Sequence, residues 1–203
     1  MLEERGQAYE YLHFPRFDTP VYGELIARFL RGELGAVDQV NPYLVALIYA
    51  GDRKAATDQI RHWIGEGKFV IVDRYVVSNI AYQCAKLGSG QEKEELRKWI
   101  LELEYDANGI PKPDVTLFLD VPFAFTEKSL SKNREGEDRE YLQGKEDIHE
   151  ASLDLQQAVR KVYLNEAEQD KTVHVVTCSD SRGEMLPPEA TFEKIRSFID
   201  HLL

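Results

Sequence analysis

The chain has 203 residues, a length that suits one well-buried domain and is short for two. Hydrophobic residues make up 43% and charged residues 30%, which is typical of a globular protein and unlike a disordered or fibrous chain. The net charge of −11 argues against a general nucleic-acid or membrane-surface binder, because such proteins need a basic footprint. We therefore expect no nucleic-acid partner, and any anionic ligand must be held by a few local arginines.

Targeting and redox features are absent from the sequence. No stretch approaches the ~18 apolar residues of a membrane span, and the first residues lack the apolar core of a signal peptide. Cys84 and Cys178 share no metal-ligand or redox spacing, so we expect free, buried thiols. These observations predict a cytoplasmic protein with no membrane partner.

The first predicted elements are a helix end, a strand and a helix. Residues 2–5 with Gly6 have the pattern of a last helical turn and its C-cap, and residues 8–14 that of a strand. Prolines predict a loop over residues 14–20. The next helix carries an apolar stripe at helical spacing, formed by Tyr22, Leu25, Ile26, Phe29 and Leu30.

A long helix is predicted next, with Asn41 as its cap and Pro42 at an early helical position. Polar and aromatic residues, among them Tyr49 and Arg53, interrupt its apolar spacing on the side that approaches the carboxyl edge of the sheet. Taken alone, Arg53 and its neighbour Lys54 are best interpreted as a solvated face.

The stretch around which the chain is organised begins at residues 69–72, a short apolar run that predicts a strand buried on both faces of a parallel sheet. Asp73 and Arg74 stand where this strand ends, and open α/β sheets bind ligands at the carboxyl ends of their strands. By itself the pair also fits a helix cap with a surface ion pair worth ~0–1 kcal/mol.

The following helix favours a binding site at this strand end. Four polar or aromatic residues recur at spacings that place them on one helix face: Ser78, Asn79, Tyr82 and Gln83. Polar groups and an aromatic ring beside a guanidinium suit a flat base that carries a phosphate. The pattern therefore predicts a crevice for such a ligand.

The second half of the chain continues the alternation of helices and strands. A loop over residues 88–91 precedes an amphipathic helix, and residues 108–113 break the chain. Residues 115–121 form a second apolar strand, which carries Asp120 near its end, and a helix follows from Phe123.

Residues 129–144 are strongly polar and contain glycine, with Lys132, Arg134 and Arg139 among acidic residues. This composition fits a flexible surface loop, and a mobile lid has the same composition. A helix is predicted over residues 147–167 and a last strand over residues 173–176.

The closing helix is predicted to face inward with its apolar positions, Phe192, Ile195, Ile199 and Leu202. Alternation of strands with helices predicts an α/β fold with an open, mostly parallel sheet and right-handed crossovers. We expect one domain over residues 1–203.

Several ordered motifs resemble one enzyme family. They are Phe14-Pro15-Arg16, the stretch 49–53, the triplet Asp73-Arg74-Tyr75, the stretch 110–115 and the basic segment 132–141. In this order and spacing the chain resembles the thymidylate kinases, which are P-loop nucleoside-monophosphate kinases, over nearly its whole length. The resemblance implies a P-loop kinase-like fold, transfer of a phosphoryl group from ATP to dTMP giving dTDP, use of Mg²⁺, and a homodimer.

The resemblance also implies roles for single residues. Tyr49 would stack on the thymine, and Arg53 would hydrogen-bond its carbonyl edge. Arg74 would hold the phosphate of dTMP. Asp73 would orient that phosphate and the magnesium shell through water, with no direct protein ligand to the metal. Phosphoryl transfer is mostly positioning and charge neutralisation, so arginines and a metal suffice.

The remaining implied roles concern the edges of the site. Ser78, Asn79, Tyr82 and Gln83 would line the base pocket. Phe14 and Arg16 would belong to the phosphate and sugar loop, and Tyr141 would pack near the sugar. Arg134 and Arg139 would be the arginines of a lid over residues 129–144.

Two departures from the family pattern stand out. Phe17 occupies a position where the family often has a second arginine, and no GxxxxGK[ST] motif occurs anywhere in the sequence. The resemblance places the missing strand and P-loop first in the chain and in the middle of the sheet, between the strands ending at Val72 and near Asp120. We therefore expect residues 1–203 alone to be poorly soluble or partly unfolded, and inactive with ATP.

Three interpretations stay open. The first is a thymidylate kinase whose P-loop lies upstream, so that this chain is N-terminally truncated. The second is a non-catalytic thymidylate-binding or partner-binding relative that has lost the ATP site. The third is another deoxynucleotide or deoxynucleoside kinase, although deoxynucleoside kinases typically carry Glu-Arg-Ser where this chain has Asp73-Arg74-Tyr75. The first is favoured because both the monophosphate site and the lid are kept.

Overall fold

A computed structural model describes residues 1–130, 137–145, 147–150 and 152–202. Within these residues all paired strands run parallel and alternate with helices, which confirms the predicted α/β class. The strands are Tyr9–His13 (β1), Phe69–Asp73 (β2), Thr116–Asp120 (β3) and Val173–Thr177 (β4).

The helices fall between the strands and after the last one. They are Tyr22–Leu30 (α1), Pro42–Gly65 (α2), Val76–Cys84 (α3), Gly90–Leu101 (α4), Phe123–Leu130 (α5), Leu153–Gln169 (α6) and Pro188–Ile199 (α7). Short 3-10 helices cover Glu3–Arg5, Glu137–Leu142 and Asp200–Leu202, and a π-helix over Glu102–Ala107 extends α4. None of the helices in the described part of the chain is long and apolar enough to cross a membrane.

The strands form two parallel pairs. β1 pairs with β2, with Tyr9 opposite Phe69, and β3 pairs with β4, with Thr116 opposite Val173. Among the described residues β2 and β3 are not hydrogen-bonded neighbours, so each has a free edge. The gap in the sheet lies between β2 and β3, at the position predicted for a further strand.

β2 is less buried than predicted. The apolar run suggested a strand buried on both faces, but none of its residues is fully buried and Ile71 is 37% exposed. On the other side of the gap, Leu119 of β3 is 44% exposed. The physical reason is that, in the part of the chain that the structure describes, each of these strands is paired on only one edge.

Two clusters of buried side chains fix the helices that carry the site. Ile80 of α3 packs with Leu96 and Ile100 of α4 and Val159 of α6. A second cluster joins α1 to α2 and contains Ile26, Phe29, Leu30 and Val45. Because α3 packs on α2 as well, the two clusters hold α2 and α3 side by side behind the ends of β1 and β2.

Two helix starts differ from the predicted ones, and side-chain capping explains both. α4 begins at Gly90, inside the predicted loop, because Ser89 and Glu92 form a capping box. α6 begins at Leu153 rather than near residue 147, because the Ser152 side chain caps the helix by accepting a hydrogen bond from the backbone N–H of Leu155.

The closing helix α7 is less buried than predicted. Phe192 is 42% exposed, Leu202 lies beyond the helix at 39%, and Ile195 and Ile199 are half-buried. α7 covers the end of β4 from outside, and the ring of Phe198 stacks on His174 with centroids 4.9 Å apart.

Candidate functional site

A pocket opens where the loop after β1 and the turn after β2 meet α2, α3 and the segment before α6. Its lining residues come from these five places: Phe14, Pro15, Tyr49, Arg53, Arg74, Ser78, Asn79, Tyr82, Gln83 and His149. Eight of them are predicted site residues, and the exceptions are Pro15 and His149. Four of the eight lie on α3 and could be predicted from helical spacing, because they share one face of that helix.

The floor of the pocket is a buried charge network. The Arg53 Nε donates hydrogen bonds to both oxygens of Glu104 at 3.0 Å, and its Nη2 also contacts Oε1. Arg53 is 2% exposed and Glu104 is fully buried. The interpretation of Arg53 as part of a solvated face is therefore wrong. A buried guanidinium is tolerated because a buried carboxylate pairs with it.

Glu104 also fixes the orientation of Asn79. The Asn79 amide nitrogen donates to Glu104 Oε1 at 3.0 Å and to the carbonyl oxygen of Ala46 at 3.1 Å. Its carbonyl oxygen Oδ1 is buried without a hydrogen-bond partner among the described residues. Such an orphaned acceptor costs about 1–3 kcal/mol, so it is a good candidate for a ligand contact.

The free atoms of this network define what it can bind. Arg53 uses Nε and Nη2 on Glu104, and within the described residues the donor Nη1 has no hydrogen bond and stays available to the pocket. Asn79 offers only the acceptor Oδ1. A donor next to an acceptor complements a cyclic imide, in which a ring N–H lies beside a carbonyl oxygen.

Gln83 and Lys86 lie at the far end of α3. Gln83 is 1% exposed and its Oε1 accepts a hydrogen bond from the Lys86 ammonium at 2.8 Å. The ammonium also lies 4.9 Å from the centroid of the Phe29 ring. Burial lowers the pKa of Lys86 to about 7. Lys86 was not predicted, because a single lysine after a helix is ordinarily a solvated residue.

Arg74 stands at the mouth of the pocket with an unusual backbone. Its φ is +60°, in the left-handed region that residues other than glycine rarely adopt. The guanidinium lies 5.4 Å from the centroid of the Tyr82 ring. Strained conformations of this kind cluster at functional sites, and here the turn directs a cation to the end of β2.

Asp73 lies at the same strand end, outside the pocket lining. Its Oδ2 accepts hydrogen bonds from His13 Nδ1 at 3.0 Å and from the Tyr11 hydroxyl at 3.1 Å. The bond from His13 is the main cause that lowers the pKa of Asp73. Alternation along β1 places Tyr11 and His13 on one face, so this pattern could have identified them.

The described residues contain no cluster of three or more His, Cys, Asp or Glu side chains that could hold a metal ion. Asp73 offers a single carboxylate, 52% exposed, at the end of β2, which fits a metal ion that is held mainly by water and substrate. Mg²⁺ keeps several waters and is commonly bound by one or two carboxylates together with substrate phosphates. Asp73 would hold the water shell of such an ion, which would neutralise phosphate charge when bound.

Besides Asp73, three predicted residues are held away from the pocket lining. Arg16 Nε donates to Asp52 Oδ1 at 2.9 Å, and Arg139 pairs with Glu150 at 2.8 Å. Tyr141 stacks on Phe17 with centroids 3.7 Å apart. Their roles in binding or catalysis stay predictions. Arg134 lies outside the described residues.

His149 is the lining residue that sequence reasoning missed. Its ring stacks on Tyr82 with centroids 5.0 Å apart and meets the edge of Phe29 at 5.2 Å. Nε2 is buried without a hydrogen-bond partner in the described part of the chain. Burial is the main cause that lowers the pKa of His149 well below its usual value. A lone histidine in a polar stretch gave no periodic signal.

Comparison with known proteins places the chain in a family. The Thymidylate kinase family model matches residues 1–186. A thymidylate kinase of Mycobacterium tuberculosis (strain CDC 1551 / Oshkosh) is 31% identical over 164 residues, which are 81% of this chain and 74% of the relative. A thymidylate kinase of Ligilactobacillus salivarius is 28% identical over 187 residues, covering 87% of this chain and 83% of the relative.

A solved structure agrees at the level of the fold. The structure of thymidylate kinase from Candida albicans matches with a TM-score of 0.67 at 24% identity, over 96% of this chain and 80% of that chain. The alternation of parallel strands and helices is therefore that of a P-loop kinase fold. With the family match extending over most of its length, the chain belongs to the thymidylate kinase family of nucleoside-monophosphate kinases.

Proposed function

We propose that the pocket between α2 and α3 binds dTMP and holds its phosphate for phosphoryl transfer from ATP, giving dTDP. The observation that carries the proposal is the buried Asn79 Oδ1 beside Arg53, which has no hydrogen-bond partner among the residues that the structure describes. The N3–H group of thymine would donate to Asn79, and a ring carbonyl oxygen would accept from Arg53 Nη1. Both ligand atoms have the polarity that these protein atoms require.

Cytosine has the opposite polarity at these positions. Its N3 is an acceptor and its exocyclic amine is a donor, so it would set a lone pair against Asn79 Oδ1 and a donor against Arg53. Leaving such buried groups unsatisfied costs about 1–3 kcal/mol each. We therefore expect the site to prefer dTMP strongly over dCMP.

The phosphate end of the ligand would meet Arg74. In a chain with a net charge of −11, a phosphate must be held by a local cation, and Arg74 lines the pocket at its mouth. A guanidinium binds phosphate through charge-assisted, often bidentate hydrogen bonds. Asp73, at the adjacent position, would hold the water shell of Mg²⁺, and the ion would neutralise phosphate charge.

The second half of the proposed reaction needs a cradle for the ATP phosphates. The sequence contains no GxxxxGK[ST] motif, whose backbone N–H groups and lysine neutralise these phosphates. This observation favours a second candidate function, in which the 203-residue chain binds dTMP without transferring phosphate. Binding and transfer must therefore be measured separately.

Calorimetry of the purified chain tests the binding half. Titration with dTMP, dUMP and dCMP should give binding of the first two and at least about tenfold weaker binding of dCMP, which corresponds to one unsatisfied group. Equal affinity for dTMP and dCMP would contradict the imide site. Release of ADP in the presence of ATP, Mg²⁺ and dTMP tests transfer.

Assembly and location form the remaining part of the proposal. We expect a cytoplasmic homodimer, as the resemblance to the family implies. Analytical ultracentrifugation would test the dimer, and a mass equal to one chain at micromolar concentration would contradict it.

A further inference from the structure

Two buried polar atoms of the pocket lack a hydrogen bond within the described residues, and the proposed function has used only one of them. Asn79 Oδ1 is assigned to the base, whereas His149 Nε2 has not been assigned a ligand atom. His149 is 5% exposed and lines the pocket, so a bound ligand can reach its ring. A buried polar atom of this kind calls for a partner, and the ligand is where we look for it.

The contacts of Tyr82 show which end of the ligand reaches His149. The Arg74 guanidinium lies 5.4 Å from the centroid of the Tyr82 ring, and the His149 imidazole stacks on the same ring with centroids 5.0 Å apart. The cation assigned to the phosphate and the unassigned imidazole are therefore joined through one aromatic ring.

The base occupies the other end of the pocket. Arg53 and Asn79 both bond Oε1 of Glu104, and they face the imide edge in the proposed binding mode. Asn79 and Tyr82 are three residues apart on α3, so they are neighbours on one helix face. In dTMP the sugar lies between the base and the phosphate. A ligand that meets Asn79 with its base and Arg74 with its phosphate therefore sets its sugar beside Tyr82 and His149.

The sugar of dTMP carries a single hydroxyl. Its 5′ oxygen bears the phosphate and its 2′ carbon bears no oxygen, which leaves the hydroxyl on the 3′ carbon. In a neutral imidazole Nε2 is a donor in one tautomer and an acceptor in the other. A hydroxyl both donates and accepts, so it satisfies Nε2 in either tautomer.

The phosphate suits His149 less well. Phosphate oxygens favour a charged imidazolium, but burial first, and then the charges of Lys86 and Arg74, lower the pKa of His149 well below its usual value. The ring is therefore neutral at neutral pH. Arg74 lines the same pocket and carries the charge that a phosphate requires.

We infer that His149 is a sugar-binding residue: its Nε2 forms a hydrogen bond with the 3′-hydroxyl of the nucleotide, so that the pocket selects monophosphates that carry this hydroxyl. The inference rests on the proposed function and adds discrimination at the sugar, which the base contacts do not provide. The ring is held between the face of Tyr82 and Phe29, whose centroid is 5.2 Å away. The backbone N–H of His149 donates to Asp147 Oδ1 at 2.8 Å, which fixes the segment that carries the ring.

Calorimetry with dTMP and its 3′-deoxy analogue tests the contact, because these ligands share the base and the phosphate and differ in one hydroxyl. The wild-type chain should bind dTMP at least about tenfold more tightly, the effect of one hydrogen bond to a buried group. His149→Phe keeps an aromatic ring against Tyr82 and removes both nitrogens, so it should bring the ratio of the two affinities close to one. His149→Gln has an amide that reaches the position of Nε2 and should keep part of the ratio.

His174→Phe is the matched control. It makes the same substitution at a histidine that also stacks on an aromatic ring, that of Phe198, and that does not line the pocket. The affinity ratio of dTMP to the 3′-deoxy analogue should therefore be that of the wild type.

The outcomes separate this inference from the proposed function. If His149 only supports the fold, His149→Phe weakens both ligands equally and leaves the ratio unchanged, which overturns the inference. A wild-type chain that prefers dTMP to dCMP but binds the 3′-deoxy analogue as tightly as dTMP also overturns it, and this measurement needs no variant to fold. A wild-type chain that does not bind dTMP contradicts the proposed function, and the inference with it.

Discussion

The pocket between α2 and α3 and the cleft between β2 and β3 differ in how completely their walls are packed and hydrogen-bonded. In the pocket, Arg53, Glu104 and Asn79 are buried and bonded to one another, and the surrounding helices pack on two apolar clusters. The cleft encloses about 300 Å³ between Arg74 and β3, and in the described part of the chain the strands that flank it have free edges.

This difference separates the two halves of the proposed reaction. The pocket needs only helices that are already packed, so we expect it to bind dTMP by itself. In the described part of the chain the cleft has a free strand edge on each side, and the apolar side chains of Ile71 and Leu119 are partly exposed there. A strand that fills the cleft would pair with both edges and remove this apolar surface from water.

The largest expected effect concerns phosphoryl transfer. The 203-residue chain should bind dTMP yet show no transfer from ATP above background, because the sequence has no GxxxxGK[ST] cradle. Fusion of a designed strand–GxxxxGK[ST]–helix segment ahead of Met1 should raise the melting temperature and restore activity. A coupled ADP assay and a thermal melt check both effects.

A matched fusion in which the lysine of the motif is replaced by alanine is the control for activity. It should raise the melting temperature without restoring transfer. If the chain without any fusion phosphorylates dTMP at about 1–100 s⁻¹, the usual range for kinases, then another part of the chain binds the ATP phosphates, and this prediction is contradicted.

Glu104→Ala should produce the next largest effect, on the pocket side. It leaves the Arg53 guanidinium buried and unpaired, which costs about 3–5 kcal/mol of unfolding free energy. Glu94→Ala is the control, since Glu94 makes an exposed pair with Lys98 worth about 1 kcal/mol at most. Urea unfolding measures the free energy of unfolding of both variants. Similar losses would show that the buried network contributes no more to stability than the exposed pair.

How far the sequence predicts the site depends on the range of the interactions. Ser78, Asn79, Tyr82 and Gln83 were found because helical spacing is local. Glu104 was not, because it meets Arg53 across 51 positions and sits among other acidic residues at the end of α4. The burial of Arg53 was misjudged for the same reason.

The same distinction applies to the fold. Strand positions and the parallel α/β order follow from short apolar runs, and the structure confirms them. The exposure of Ile71 and the late start of α6 could not be predicted in the same way. The first depends on a neighbouring strand, and the second on whether a polar side chain caps the helix.

Arg74→Ala should reduce dTMP affinity about 10- to 100-fold, the loss expected for a charged hydrogen bond to phosphate. The free energy of unfolding should change by less than about 1 kcal/mol, because Arg74 is an exposed residue at the edge of the cleft. Arg182→Ala removes a cation that is 82% exposed and serves as the control. Unchanged affinity in Arg74→Ala would remove this residue from the phosphate site.

The smallest expected effect lies at Asp73, on the border between the pocket and the cleft. The pKa of Asp73 is lowered in the folded protein, chiefly by the bond from His13. Below the unfolded pKa of about 3.9, the unfolded chain therefore binds more protons than the folded one. The stabilisation is complete above that pH and is lost as the pH falls through the folded value. Because Asp73 is 52% exposed, it amounts to less than about 1 kcal/mol.

His13→Ala removes the main cause of the lowered pKa, so the variant should unfold at a slightly higher pH than the wild type during acid titration. Tyr11 still donates to Asp73 in the variant, so the shift should be partial. His201→Ala, at an exposed histidine near the C-terminus, should leave the acid midpoint unchanged. Circular dichroism between about pH 2 and about pH 6 covers the titration range of the carboxylate. If His13→Ala and the wild type gave superimposable profiles, the His13 contact would not stabilise the charged form of Asp73, and the end of β2 would be as loosely held as the open edge beside it.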